Sequence, residues 1–180
     1  MAKSSKAEKT SGPIEEAHPK PRPKGEPEAM IKLRETIETQ LAGMTESYEV
    51  DDNGSYVLPL QTCPAFVVPT WIPEGPSVVR IFAITNLGVP VTAELTAYLL
   101  TKNLDFVFGA FGVEVEDGAV WFVHNILGEY LDPQELEASL GAVATTADEY
   151  SQEIKDKFGG RLYKEAPDES LPTPPAPGYL

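Results

Sequence analysis

The segment from Asp132 to Gly160 constrains what this chain can fold into more than any other. Asp132-Pro133-Gln134-Glu135 reads as a helix start: a capping side chain, proline at the first helical position, and a glutamate three residues after the cap. From there Leu136, Leu140, Val143, Ala147, Tyr150, Ile154 and Phe158 recur at spacings of four and three. Lys155 and Lys157 then supply a basic last turn before the glycine stop Gly159-Gly160. The pattern predicts one amphipathic helix of roughly 26 residues, about 39 Å long at 1.5 Å per residue. Its apolar stripe needs another layer to be buried against.

The remaining patterns supply that layer. Met30, Leu33, Ile37, Leu41 and Met44 mark a first helix, with Pro27 near its start and Gly43 near its end. Tyr48–Val50 and Tyr56–Leu60 flank Asp52-Asn53-Gly54-Ser55, whose Asn-Gly pair accepts the positive φ angles of a tight hairpin. Between Leu58 and Pro76 five prolines punctuate apolar residues, and each deletes a ladder donor, so irregular edge structure is expected there. Val78–Thr85 is an almost unbroken β-branched and aromatic run suited to a central strand. Leu95, Tyr98 and Leu99, capped by Thr92 and closed by Lys102-Asn103, predict a short second helix. Phe106–Glu116 and Ala119–Ile126 flank Asp117-Gly118, a hairpin signal. The order α-β-β-β-α-β-β-α predicts an α+β fold in which helices pack against an antiparallel sheet.

Both ends lack the apolar residues that would offset the entropy of ordering them. Residues 1–26 form a basic Pro- and Lys-rich tail, and 164–180 a Pro-rich one; both are expected to be disordered, leaving one domain over 27–163. The first 25 residues carry six Lys or Arg against three Glu, and the rest eight against twenty-five acids. The formal charge of −14 is therefore +3 over residues 1–25 and −17 over residues 26–180. Such a body repels nucleic acid and anionic membrane surfaces. No apolar run is long enough to span a bilayer, and no apolar signal core follows the N-terminus, so membrane insertion is not expected. Cys63, the one cysteine, can close no internal disulfide, which suits a reducing, cytoplasmic setting.

The element order, the short helix ending in Lys102-Asn103, the hairpin Phe106–Ile126 and the helix from Asp132-Pro133 to Phe158-Gly159-Gly160 carry a family resemblance. Over about Met30 to Gly160 the chain resembles the YbjN-like branch of the type III secretion chaperone (CesT-type) superfamily. The resemblance implies binding of a peptide or protein, commonly by a dimer, with no cofactor and no chemistry. It carries over no invariant binding residue. The proline-laden stretch Pro59–Pro76 and the two tails depart from the family pattern.

The residues themselves offer little catalytic machinery. With His18 in the N-terminal tail, His124 is the one histidine of the folded part. A two-residue turn at Asp117-Gly118 would pair Val115 with Val120, Val113 with Phe122 and Phe111 with His124, putting the histidine on an apolar face without a neighbouring nucleophile motif. A hydrolase built on His124 and a carboxylate remains the catalytic alternative. Glu114, Glu116 and Asp117 read as a solvated acidic rim, not a metal site. Gly109 and Gly112 lack the Lys, Ser or helix start of a phosphate loop.

What stands out is apolar surface: Phe66, Val68, Trp71 and Ile72 along the proline-rich edge, and Phe108, Trp121 and Val123 on the second face of the hairpin. These are the expected contacts of a protein or peptide partner, or of a second copy in a homodimer. The alternative is an accessory subunit of a larger assembly that engages other proteins through its tails.

Overall fold

The computed structural model describes residues 26–45, 47–72 and 74–167. The expected tails lie outside the described residues except for Glu26 and 164–167. In chain order the elements are α1 (Glu28–Met44), β1 (Glu49–Val50), β2 (Tyr56–Pro59), β3 (Pro64–Trp71), β4 (Ser77–Leu87), α2 (Ala93–Lys102), β5 (Ala110–Val113), β6 (Val120–Leu127), α3 (Pro133–Phe158), β7 (Arg161–Leu162) and a 3-10 turn at Tyr163–Glu165. The expected alternation of helices and strand blocks, and the α+β class, hold. The strands form one antiparallel sheet in the order β1-β2-β3-β4-β6-β5, with β7 also on β4.

Local chemistry places the long helix as its sequence predicts. The Asp132 carboxylate accepts from the Glu135 N–H at 2.9 Å, and Pro133 opens the helix. At the far end Gly159 takes φ +83° and its N–H returns to the Lys155 carbonyl at 2.9 Å. The stripe from Leu136 to Ile154 lies over β4 and β6, while α1 buries Met30, Leu33, Ile37 and Leu41 over β3. Both helices cover one face of the sheet. Asn86 ties strand to helix, its side-chain amide donating to the Ser151 carbonyl at 2.9 Å.

One buried ion pair anchors α1. Arg34, 1% exposed, donates through Nε to Glu26 at 2.6 Å and through Nη1 to the Gly54 carbonyl in the β1–β2 turn. The first helix is thereby tied to the first hairpin.

The stretch expected to be irregular forms β3, an eight-residue strand buried along nearly its whole length between β2 and β4. Its prolines are accommodated by where the ladders end. Pairing with β4 begins at Ala65↔Ala83, one residue after Pro64; pairing with β2 ends at Val67↔Tyr56, two residues before Pro69. Being five apart, the two proline nitrogens face opposite flanks, and each can face the flank on which its ladder is absent. Where β3 leaves β4, β7 takes over through Asn86↔Leu162 and Leu87↔Arg161.

The β5–β6 hairpin corrects the expected register by two residues: Phe111 pairs with Phe122, not His124, and Val113 with Val120. The turn is longer than two residues. Glu114 and Ala119 close it at 2.8 Å, the Gly118 N–H reaches the Glu114 carbonyl at 3.0 Å, and the Asp117 carboxylate accepts from Ala119 N. Gly118 is required there: at φ +69° its carbonyl accepts from Val89 N, and a Cβ would lie 2.3 Å from the Val89 oxygen. A shift of two preserves the sides of the strand, so His124 keeps the helix-covered side and Trp121 and Val123 the other.

Candidate partner-binding surface

Strand alternation gives the sheet a second face, away from α1 and α3. On β4 the residues Val79, Ile81 and Ala83 enter the helix-covered core, so Arg80, Phe82 and Ile84 point the other way. Register then gathers Val57, Phe66, Val68, Trp121 and Val123 around them. The rings of Phe66 and Phe82 stack at 5.0 Å with planes 14° apart, and Trp121 leans on Phe82 at 5.2 Å. Four of the seven expected contact residues thus share one surface.

That surface is half closed and half open. On the β3–β4 side Phe66, Val68, Phe82 and Ile84 are buried, contrary to the expected exposure of Phe66 and Val68. Tyr163 meets Phe66 edge to face at 6.4 Å, and Ala166 packs on the same cluster. On the β5–β6 side the face is a shallow lane: Trp121 and Val123 are half-buried, Leu127 is 51% exposed, and Ala110 and Gly112 form an exposed floor without bulk.

The other three expected residues lie elsewhere. Trp71 packs, partly buried, against the core under the helices, because its odd position in β3 faces that side. Ile72 begins the turn into β4, its N–H donating to the Pro76 carbonyl at 3.2 Å and its carbonyl accepting from Gly75. Phe108 departs from the expected face: its ring meets His124 at 5.3 Å on the helix side. It is 43% exposed and belongs to a separate exposed stretch of chain, with Leu100, Leu104 and Val107 at 62, 85 and 89% exposure. Asn103 fixes this loop by exchanging two hydrogen bonds with the Phe111 backbone, at 3.0 and 2.6 Å.

Two donors on the second face are hidden without a hydrogen-bond partner, Arg80 Nε and Trp121 Nε1. Arg80 is the one residue of β4 that is not fully buried; its guanidinium lies 5.7 Å from the Phe82 ring, and burial lowers its pKa. A charge placed so, beside Val68 and Asn125 in register and with no acid on it among the described residues, is costly unless something accepts from it.

His124 lines a recess of about 360 Å³ with Phe108, Ile126, Glu135 and Ser139. Burial lowers the imidazole pKa, opposed by the field of Glu135. Among the described residues no hydrogen bond joins His124 to Glu135 or Ser139, and the Ser139 hydroxyl is buried without a partner, so the three are not assembled as a nucleophile, base and orienting group. Cys63 is buried and its thiol is pushed up to about 11, chiefly by desolvation, which disfavours the thiolate. Among the described residues no three His, Cys, Asp or Glu side chains cluster as metal ligands, and no helix is long and apolar enough to cross a membrane.

Sequence reasoning passed over Phe82, Arg80 and the Leu100–Val107 stretch. A lone charge inside Val78–Thr85 was the available signal for the second face, and Leu100 beside Leu99 for the stretch.

Residues 32–166 match the family model described as T3SS (YopN, CesT) and YbjN peptide-binding chaperone 1. Among solved structures, the chain is similar to the HopA1-SchA chaperone-effector complex, with 13% identity, a TM-score of 0.51, and coverage of 68% of this chain and 97% of that one. It is similar also to the ExsC-ExsE complex, with 16% identity, a TM-score of 0.53, and coverage of 69% and 95%. At such identities the likeness is one of fold. A comparison with curated protein sequences found no match.

Proposed function

Because this chain belongs to the T3SS and YbjN peptide-binding chaperone family, we propose that it holds a segment of a protein partner along the β5–β6 lane of its second sheet face, without chemistry. The open half of that face carries the reading: a row of Trp121, Val123 and Leu127 on β6, with exposed Asn125 among them, beside the exposed small residues Ala110 and Gly112 of β5. Phe66 and Val68 back the lane from the closed half, while Trp71 and Ile72 lie off it. The net charge of −17 over residues 26–180 favours a partner of basic or amphipathic character. Cys63, free and buried, suits the cytoplasm. Crosslinking with mass spectrometry in the native host identifies the partner. Trp121→Ala and Leu127→Lys should then each weaken its binding about tenfold or more. Crosslinks confined to α1 and α3, with an affinity indifferent to both substitutions, would remove the lane from consideration.

A second reading rests on the separate stretch of Leu100, Leu104, Val107 and Phe108, four large apolar residues exposed within nine positions. We propose that it pairs two copies of the chain. Light scattering should show a dimer that Leu104→Lys combined with Val107→Lys converts to monomer. A monomeric parent at about 100 μM, well above a micromolar Kd, would end this reading.

A further inference from the structure

β6 outruns its outer neighbour. β5 has four residues against eight in β6, and their last pair is Ala110↔Val123. His124–Leu127 therefore has β4 on one flank and, among the described residues, no strand on the other. Gly109 is where the chain leaves the sheet. At φ +79° it turns toward the helix side, where Phe106 packs on Phe122 and Tyr150, and Phe108 on His124. This leaves about 13 Å of β6 as an open edge, at roughly 3.3 Å per residue.

Two hydrogen bonds fix which backbone groups face that edge. Gly128 donates to the Ser77 carbonyl in step with the β4 ladder, so even-numbered residues of β6 from Phe122 onward bond toward β4. Glu114 donates to the Ala119 carbonyl in step with the β5 ladder, so odd-numbered residues bond toward β5. The N–H and C=O groups of Asn125 and Leu127 thus point out of the open edge, and both residues are exposed. Beside the edge lies the recess of about 360 Å³, lined by all four edge residues together with Phe108 and Glu135. Glu135 is the charged group of that lining, because burial lowers the pKa of His124 and keeps it neutral at neutral pH.

A short row of outward-facing donors and acceptors is a template for one more strand. We infer that this notch takes an extended segment of a protein partner, added antiparallel to β6 and in line with β5, with alternating apolar and basic side chains. Residues opposite Asn125 and Leu127 would exchange backbone hydrogen bonds with them and lay their side chains on the second face, continuing the row of Trp121 and Val123. Residues opposite His124 and Ile126 would turn theirs into the recess, where Glu135 favours Lys or Arg and Phe108 offers a ring face. A second copy is the poorer occupant: it would bring its own Glu129 and Glu135 to an edge that already carries both. The inference rests on the partner-holding reading and supplies the backbone contacts that reading lacks.

The test reads the edge first without any partner. In amide hydrogen exchange at low micromolar protein, Asn125 and Leu127 should exchange about tenfold or more faster than His124 and Ile126, whose N–H groups bond to β4. The probe is then an acetylated, amidated (Val-Lys)4 peptide, which should slow both edge amides about tenfold or more at saturation. A (Val-Glu)4 peptide should bind about tenfold or more weakly than that probe. N-methylating the valines, whose N–H groups face β6, should abolish the protection, whereas N-methylating the lysines should leave it nearly intact. Asn125→Pro removes an edge donor and spares the β4 ladder, so it should lower peptide affinity about tenfold or more. The methylated peptides keep the test valid if that variant fails to fold. Slow exchange of Asn125 and Leu127 in the peptide-free protein overturns the inference, and if dilution relieves it the occupant is a second copy. Equal effects of the two methylation patterns overturn it as well. Peptide binding lost in Trp121→Ala but indifferent to Asn125→Pro and to valine methylation overturns the added strand and leaves the lane reading standing.

Discussion

Replacing Phe82 by alanine should lower the unfolding free energy by about 3–5 kcal/mol, the usual cost of emptying a packed aromatic site. The ring is completely buried, stacked on Phe66, leaned on by Trp121 and capped by the Arg80 guanidinium, so truncation unsupports three neighbours at once. For a domain of this size the loss corresponds to about 6–20 °C in Tm. Urea denaturation followed by far-UV circular dichroism measures it. A loss below about 1 kcal/mol, typical of exposed positions, would show that the second face is not a packed core.

Arg34→Met should cost about as much, roughly 3–5 kcal/mol, for an electrostatic reason. The substitution leaves the Glu26 carboxylate, its side chain 3% exposed, without the guanidinium that faces it, and the Gly54 carbonyl without its donor. An uncompensated buried charge is more damaging than a missing pair. Arg34→Met with Glu26→Gln should therefore recover part of the stability lost by Arg34→Met alone, in the same denaturation experiment. Equal losses from the single and double variants would mean that Glu26 reaches water without Arg34.

The contrast between these two sites shows what the sequence could convey. Helix caps and stripes depend on neighbours within a few residues, so α1, α2 and α3 were readable from Pro27, Thr92, Asp132 and the spacing of their leucines. Face assignment in the hairpin also survived, because strand alternation needs only parity and tolerates a turn two residues longer than expected. What parity cannot supply is which strands lie beside which. Read alone, the prolines of 59–76 argue for an edge. They fit an interior strand only because the β2 and β4 ladders stop short on opposite flanks of β3. Arg34, similarly, reads as a solvated helix residue until Glu26 and the Gly54 turn are known to close over it. The candidate surface was half legible: Phe66, Val68, Trp121 and Val123 were marked, but Phe82 between them was hidden in a run that looked like ordinary core, and Phe108 was placed on the wrong side.

The central position of β4 also bears on how the protein is made. Its first partner, β3, precedes it in the chain, but β6 begins at Val120, 33 residues after β4 ends at Leu87, and β7 begins only at Arg161. At 5–20 residues per second a ribosome needs about 2–7 s to deliver β6. For that interval the β3–β4 hairpin carries Ile81, Phe82 and Ile84 with one flank unpaired and both faces uncovered by α3. A chain of this topology spends its first seconds as a sticky template for any passing strand. Its own synthesis rate, more than its final stability, sets how long that exposure lasts.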